Sequence, residues 1–206
     1  MASGTAKARP TRPRGRPKSL ARGRVVEAAM LTYWQGDPGT LSLNEVARRV
    51  GVSKPALYRE FGSEDGLIAA VLDRYRDEVV TPLLATLRSE RPFFEVLKDL
   101  LASMTTPRDT PPGCLFTKMR LAPWRLAPAS ASRVDAIRDE MRDAFEDGYR
   151  RALARGGEVD PNLKADQAAR FIDAQFMIVL IQCNMGEAPE DVRMRAEVAF
   201  RGLLAP

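Results

Sequence analysis

Apolar residues recur along this chain at spacings of three and four, and no segment alternates apolar with polar as a half-buried strand does. Val26, Ala29, Met30 and Tyr33 stand at i, i+3, i+4 and i+7, and Leu43, Val46, Ala47 and Val50 repeat the spacing. Ile68, Val71, Leu72, Tyr75 and Val79 form a third stripe; Val134, Ile137, Met141, Phe145, Gly148 and Ala152 form the longest. Such stripes can be buried only helix against helix, so the expected fold class is all-α, with about nine helices. The 206 residues suffice for a small domain plus a larger one.

Breakers and caps punctuate the stripes. Helix one covers about 20–34 and ends at Gln35-Gly36-Asp37-Pro38-Gly39. Ser42, with Glu45 three residues on, is a capping box opening a second helix that Gly51 ends. Ser53 caps a short third helix with Leu57 and Phe61 facing inward. Ser63 caps a fourth over 63–87, with Glu64 and Asp65 suiting the dipole of its first turn. Arg91-Pro92 marks a boundary before a helix over 93–105, and a proline-rich loop precedes a short helix over 114–122. Ser132 with Asp135 caps the longest helix, stopped by Gly156-Gly157. Asp160-Pro161 opens the next, to about Met185, and Pro189 opens the last, to about Leu204.

Charge is unevenly spread. Residues 1–24 hold eight basic residues and no acid, while the remainder holds 24 basic and 27 acidic. A basic arm over 1–19, of disordered composition, on a near-neutral body points to a polyanion touched at one end. It has no large apolar residue before Leu20, which argues against an amphipathic membrane helix. Pro13-Arg14-Gly15-Arg16-Pro17 resembles an AT-hook core, in which Arg14 and Arg16 would flank a glycine thin enough for a narrow A·T minor groove. A solvated tail that only attracts phosphate is the alternative. There is no secretory h-region and no run of about 20 apolar residues, so a cytoplasmic protein without a membrane span is expected. With no histidine and only Cys114 and Cys183, the usual hydrolytic triads and zinc sites are excluded; no metal, cofactor or enzymatic activity is expected.

The two short helices joined by Gly51-Val52-Ser53 fit a helix-turn-helix. Glycine supplies the positive-φ position of the turn, and the start of the second helix would enter the major groove of double-stranded DNA. Ser53, Lys54, Pro55, Ala56, Tyr58 and Arg59 are the candidate contacts, with Ser42 at the start of the preceding helix. Ala56 admits close approach to a thymine methyl, Arg59 can read guanine or hold phosphate, and Ser53 and Tyr58 can bond phosphate. Arg48 and Arg49 stand on the first helix of the pair. An ordinary αα-hairpin with a solvated polar face would read the same way.

From Leu41 to Leu67 the chain resembles the tetracycline-repressor (TetR) family, with Gly51-Val52-Ser53-Lys54, Leu57-Tyr58 and Phe61-x-Ser63 in register. Gly113-Cys114-Leu115 is similar to a run that many members carry. Glu60 and Glu64 depart from the pattern: members commonly carry histidine and lysine there, which help hold phosphate. The arginine-rich arm would compensate. The resemblance implies a helix-turn-helix domain over 20–66, a ligand-binding and dimerisation domain over 67–206, and the 63–87 helix linking them. It implies a homodimer on a palindromic operator, released by a small-molecule effector.

The same resemblance places a four-helix bundle at the last two helices of each chain. Phe171, Phe176, Val179, Val198 and Phe200 are core-or-interface candidates, because Phe176 to Ile181 is apolar all round a helical turn. It also implies a pocket for a largely apolar effector. Candidates are Met104, Phe116, Met119, Trp124, Phe145, Tyr149 and Met177, each equally able to be plain core. Asp173 would recognise a cation, face solvent or pair with an arginine across a dimer; Cys114 is either a redox sensor or a buried inert thiol. The alternative is a non-specific architectural DNA-binding protein acting through its arm, which deletion of residues 1–18 would disable.

Overall fold

The computed structural model describes residues 18–205 except 107–110 and 112. The expectations for Arg14, Arg16 and the arm up to residue 17 lie outside the described residues. The helices are α1 (Lys18–Gln35), α2 (Leu43–Val50), α3 (Lys54–Phe61), α4 (Glu64–Tyr75), α5 (Thr81–Leu87), α6 (Phe93–Thr105), α7 (Leu115–Leu121), α8 (Pro128–Arg155), α9 (Ala165–Asn184) and α10 (Pro189–Phe200). A π turn, Arg76–Val80, joins α4 to α5, so nine rods stand among the described residues. No strand occurs among them; a lone bridge pairs Val159 with Leu204.

The π turn has a sequence cause. Pro82 has no N–H to donate to Glu78, and its ring crowds that carbonyl. The helix widens by one residue instead: the Thr81 N–H reaches Arg76, and Thr81 Oγ1 donates to the same carbonyl at 3.0 Å.

Two other helix starts differ from the sequence reading, and so does one cap. α8 opens at Pro128 and not at Ser132, because Asp65 of α4 supplies its N-terminal acceptor from outside the segment. α9 opens at Ala165, because Asp160 is used in a turn, where its Oδ1 accepts from the Asn162 N–H at 2.8 Å. At α2, Ser42 Oγ accepts from the Glu45 N–H at 3.2 Å, but Glu45 does not reach back. Its carboxylate accepts from Arg48 Nη2 at 2.7 Å and Arg49 Nε at 2.6 Å, which holds it at a pKa of about 2.

α1 lies against α2 and α4, burying Ala29 and Tyr33 with Val46, Leu67 and Val71. α8 packs on α4 and α9, and α10 packs on α9 and α6. Phe145 stacks on Phe176 at 5.6 Å between ring centroids, and Phe176 meets Phe200 at 5.3 Å. Burying each such ring contributes about 1.5–3 kcal/mol. Gly148 lets α6 approach α8: a Cβ there would stand 2.4 Å from the Phe93 ring.

Candidate nucleic-acid interface and internal cavity

Gly51 takes φ 76°, and its N–H donates to the Ala47 and Arg48 carbonyls, closing α2 in the left-handed conformation that favours glycine. Val52 packs half-buried in the angle between α2 and α3. Ser53 Oγ then accepts from the Ala56 N–H at 3.3 Å, capping α3. Leu57 anchors α3 at 3% exposure while Tyr58 is 43% exposed on the opposite side. Ser42, Ser53, Pro55 and Arg59 are also exposed, and Lys54 and Ala56 half-buried. Lys54 Nζ stands 5.8 Å from the Tyr58 ring centroid. The six candidates on α3 and its cap thus run along a short, cation-bearing helix, four of them exposed.

The two departing carboxylates have partners inside the subunit. Glu60 pairs with Arg22 Nε at 3.4 Å, and that guanidinium lies over the Phe61 ring at 4.9 Å. Glu64 accepts from Arg125 Nη2 at 2.5 Å, and Arg125 also donates to the Pro38 and Leu41 carbonyls. Arg125 was not among the sequence candidates; its signal is only a cation in a Pro-bounded loop.

Arg125 is one of several ties between the α1–α4 unit and the rest. Trp34 Nε1 donates to the Gly113 carbonyl at 3.1 Å, and Lys118 Nζ donates to the Trp34 carbonyl at 2.5 Å. Burial lowers the Lys118 pKa. Asp65 is another, accepting from the Ala129 and Ser130 N–H groups at 2.9 Å each and from Ser130 Oγ at 2.5 Å. Burial alone would raise the Asp65 pKa; the hydrogen bonds from Ser130 and Ala129 outweigh it and hold it below the ordinary value. A carboxyl depressed on folding stabilises fully above its unfolded pKa, and that stability is lost as pH falls through the folded value. Asp65→Asn is therefore expected to melt lower than wild type at pH 7, with the gap closing towards pH 3. A thermal-unfolding series checks this, and a constant gap would refute it.

A cavity of about 880 Å³ lies between the π turn, α6, α7, α8 and α9. Met104, Phe116, Phe145 and Met177 line it; Met119, Trp124 and Tyr149 do not. Met119 is wholly buried, and Tyr149 is wholly buried with its hydroxyl donating to the Asp160 carbonyl at 2.9 Å. Trp124 is 72% exposed, placed by the turn Pro123–Arg125 beside Gly39. The lining also takes in Trp34 and Tyr75 from the N-terminal unit, which sequence reasoning missed because nothing local marks them. Asp173 accepts from Arg120 Nη1 at 2.9 Å and Nη2 at 3.2 Å and from Arg142 Nε at 3.1 Å, all within its own subunit. Cys114 Sγ lies 3.1 Å from the Tyr75 hydroxyl, and both face the same cavity. Among the described residues no three His, Cys, Asp or Glu side chains converge as a metal site would need.

The structure divides the bundle candidates. Phe176, Val179 and Phe200 fill the subunit's own core, because the α8–α9–α10 contact consumes that side of each helix. Phe171 and Val198 are exposed. Along α9 and its C-cap, Phe171, Ile178 and Met185 recur every seven residues and are all exposed; on α10, Met194 and Val198 stand at i and i+4. No helix is long and apolar enough to cross a membrane among the described residues.

A helix-turn-helix tied by side chains to a cavity-bearing helical domain is the build of a DNA-binding regulator. Over residues 25–71 the chain matches the bacterial regulatory proteins of the tetR family. It is 28% identical over 194 residues to the HTH-type transcriptional repressor ComR of Escherichia coli, spanning 91% of each chain. Among solved structures, a cysteine mutant of the TetR family transcriptional regulator CifR, complexed with 26bp double-strand operator DNA, is similar at a TM-score of 0.75 and 24% identity, covering 94% of this chain and 100% of that one. A transcriptional regulator from Saccharomonospora viridis in complex with choline is similar at a TM-score of 0.74 and 18% identity, covering 91% and 100%.

Proposed function

We propose that this chain is a ligand-responsive transcriptional repressor of the cytoplasm, with no enzymatic activity, metal or cofactor. A homodimer would bind a palindromic operator through α3 of each copy and release it when a small, largely apolar effector fills the cavity. The observation that carries the reading is the outward side of α3, where Ser53, Pro55, Tyr58 and Arg59 are exposed and Lys54 is half-buried. The ties through Trp34, Lys118, Asp65 and Arg125 support the coupling, since a ligand that favours another setting of these contacts shifts the population away from the DNA-competent one. The repressor relatives and the operator complex of the same fold support the DNA partner, and the choline complex supports a small-molecule one. The arm adds phosphate attraction; these likenesses do not favour an architectural role.

The test is selection of double-stranded DNA from a random pool by the full-length protein. The expected product is an inverted repeat with half-site centres one helical turn, or a multiple of it, apart. Arg59→Ala and Lys54→Ala are each expected to weaken the selected site by about 1–3 kcal/mol. Unselective recovery, or both variants binding as wild type does, would overturn the reading. Loss of all binding on deleting residues 1–18 would favour the architectural alternative.

A further inference from the structure

The cavity's wall is rich in aromatic and acidic side chains, well beyond the single Asp173 that the sequence pointed to. Five aromatic residues line it, among them Trp34, Tyr75, Phe145 and Phe176. Four carboxylates among the described residues also line it: Glu78, Asp99, Asp173 and Glu187. Among the described residues of the wall, Arg120 is the one cation, and Asp173 accepts from both of its terminal nitrogens. Arg142 stands behind Asp173, outside the wall. The other three carboxylates have their arginines outside the wall as well. Glu78 pairs with Arg74 at 2.7 Å, Asp99 with Arg91 at 2.5 Å, and Glu187 with Arg195. A group inside the cavity therefore meets three carboxylates whose counter-ions stand outside its wall. A cleft whose low-dielectric walls carry an excess of one sign of charge focuses that field. Aromatic faces attract the same sign of ligand through their quadrupole.

We infer that the cavity takes an organic cation with an apolar body: a quaternary ammonium, a phosphonium or a protonated amine whose hydrocarbon part lies among Leu83, Leu100, Phe145, Phe176, Met177 and Leu180. This deepens the proposed effector reading and rests on it for the link to DNA, but not for binding. The volume matches a drug-sized guest, not a single ion, since pockets for such ligands run from about 300 to 1,000 Å³. Arg120 is already satisfied by Asp173, so it offers a carboxylate ligand no unpaired charge.

Tetraphenylphosphonium and tetraphenylborate have the same shape and opposite charge, so they test the sign directly on the full-length protein by titration calorimetry. The cation is expected to bind at least tenfold more tightly than the anion. In the triple variant Glu78→Gln, Asp99→Asn, Glu187→Gln that preference is expected to fall below threefold. Because a surface variant could act at a distance, Met177→Trp gives an independent measure: by occupying the cavity it is expected to weaken both ions. Equal binding of the two ions, tighter binding of the anion, or binding of neither overturns the inference. Operator release by neutral or anionic compounds alone would also overturn it while leaving the regulator reading in place. Tight cation binding that leaves operator affinity unchanged would uphold the site and remove its effector role.

Discussion

Ile178→Glu is expected to turn the protein into a monomer at micromolar concentration and to cost it about 100-fold or more in operator affinity. Ile178 is 45% exposed at the middle of the α9 stripe, between Phe171 at 37% and Met185 at 73%. Met194 and Val198 continue the apolar surface on α10, at 54% and 56%. Side chains of this size left in water at regular helical spacing mark a face that another surface covers. A carboxylate at its centre would be desolvated without a partner in the dimer, a penalty of several kcal/mol that is counted once in each copy. One helix-turn-helix reads too few base pairs to be selective, so losing the second copy removes most of the specific affinity. Sedimentation equilibrium reports the mass, and fluorescence anisotropy on the selected operator reports the binding. Leu121→Glu, equally exposed at 49% but on α7, is the control and is expected to remain dimeric. An Ile178→Glu protein that stays a dimer would place the contact elsewhere.

How much of this was legible beforehand depends on where each cause sits in the chain. The helix-turn-helix could be read because every element of it is local: Gly51 for the left-handed turn, Ser53 for the cap, and Leu57 for the buried side of α3. The proposed dimer face was only half legible. Phe171, Phe176, Val179, Val198 and Phe200 are alike in hydropathy, and only the packing of α9 on α8 and α10 sorts Phe176, Val179 and Phe200 inward. The start of α8 was misplaced because its cap, Asp65, comes from more than 60 residues upstream. Glu60 and Glu64 looked like repulsive charges near phosphate until Arg22 and Arg125 appeared opposite them. Met119 and Tyr149 have the chemistry of cavity walls but lie in solid core; which gaps remain unfilled is a property of the assembled helices and of no single stripe.

Two glycine-to-alanine substitutions are expected to move stability in opposite directions, and the difference isolates the joint between α3 and α4. Both positions are helical, and helix propensity alone favours alanine at each by about 1 kcal/mol. At Gly23, in α1, an added Cβ would meet nothing within 4 Å, so Gly23→Ala is expected to raise stability by up to that amount. At Gly66, in the first turn of α4, the Cβ would lie 2.1 Å from the Phe61 carbonyl oxygen and 3.2 Å from its carbon. That oxygen is backbone, at the last residue of α3, and cannot swing aside as a side-chain tip would. The two helices must separate by about 1 Å, in a region packed as densely as a crystal. Overpacking of this kind costs about 1–3 kcal/mol, and the upper end applies where backbone has to move. The melting temperature of Gly66→Ala is then expected to fall by roughly 6–12 °C for a chain of this size. Because Glu64 and Asp65 tie the same turn to Arg125 and Ser130, the displacement passes to α3 more readily than to α8. Operator affinity of Gly66→Ala should therefore drop at temperatures where the protein is still fully folded, with Gly23→Ala binding as wild type does. Differential scanning calorimetry and anisotropy at 25 °C separate the two effects. If Gly66→Ala melts at or above wild type, α3 and α4 are not seated against each other as described.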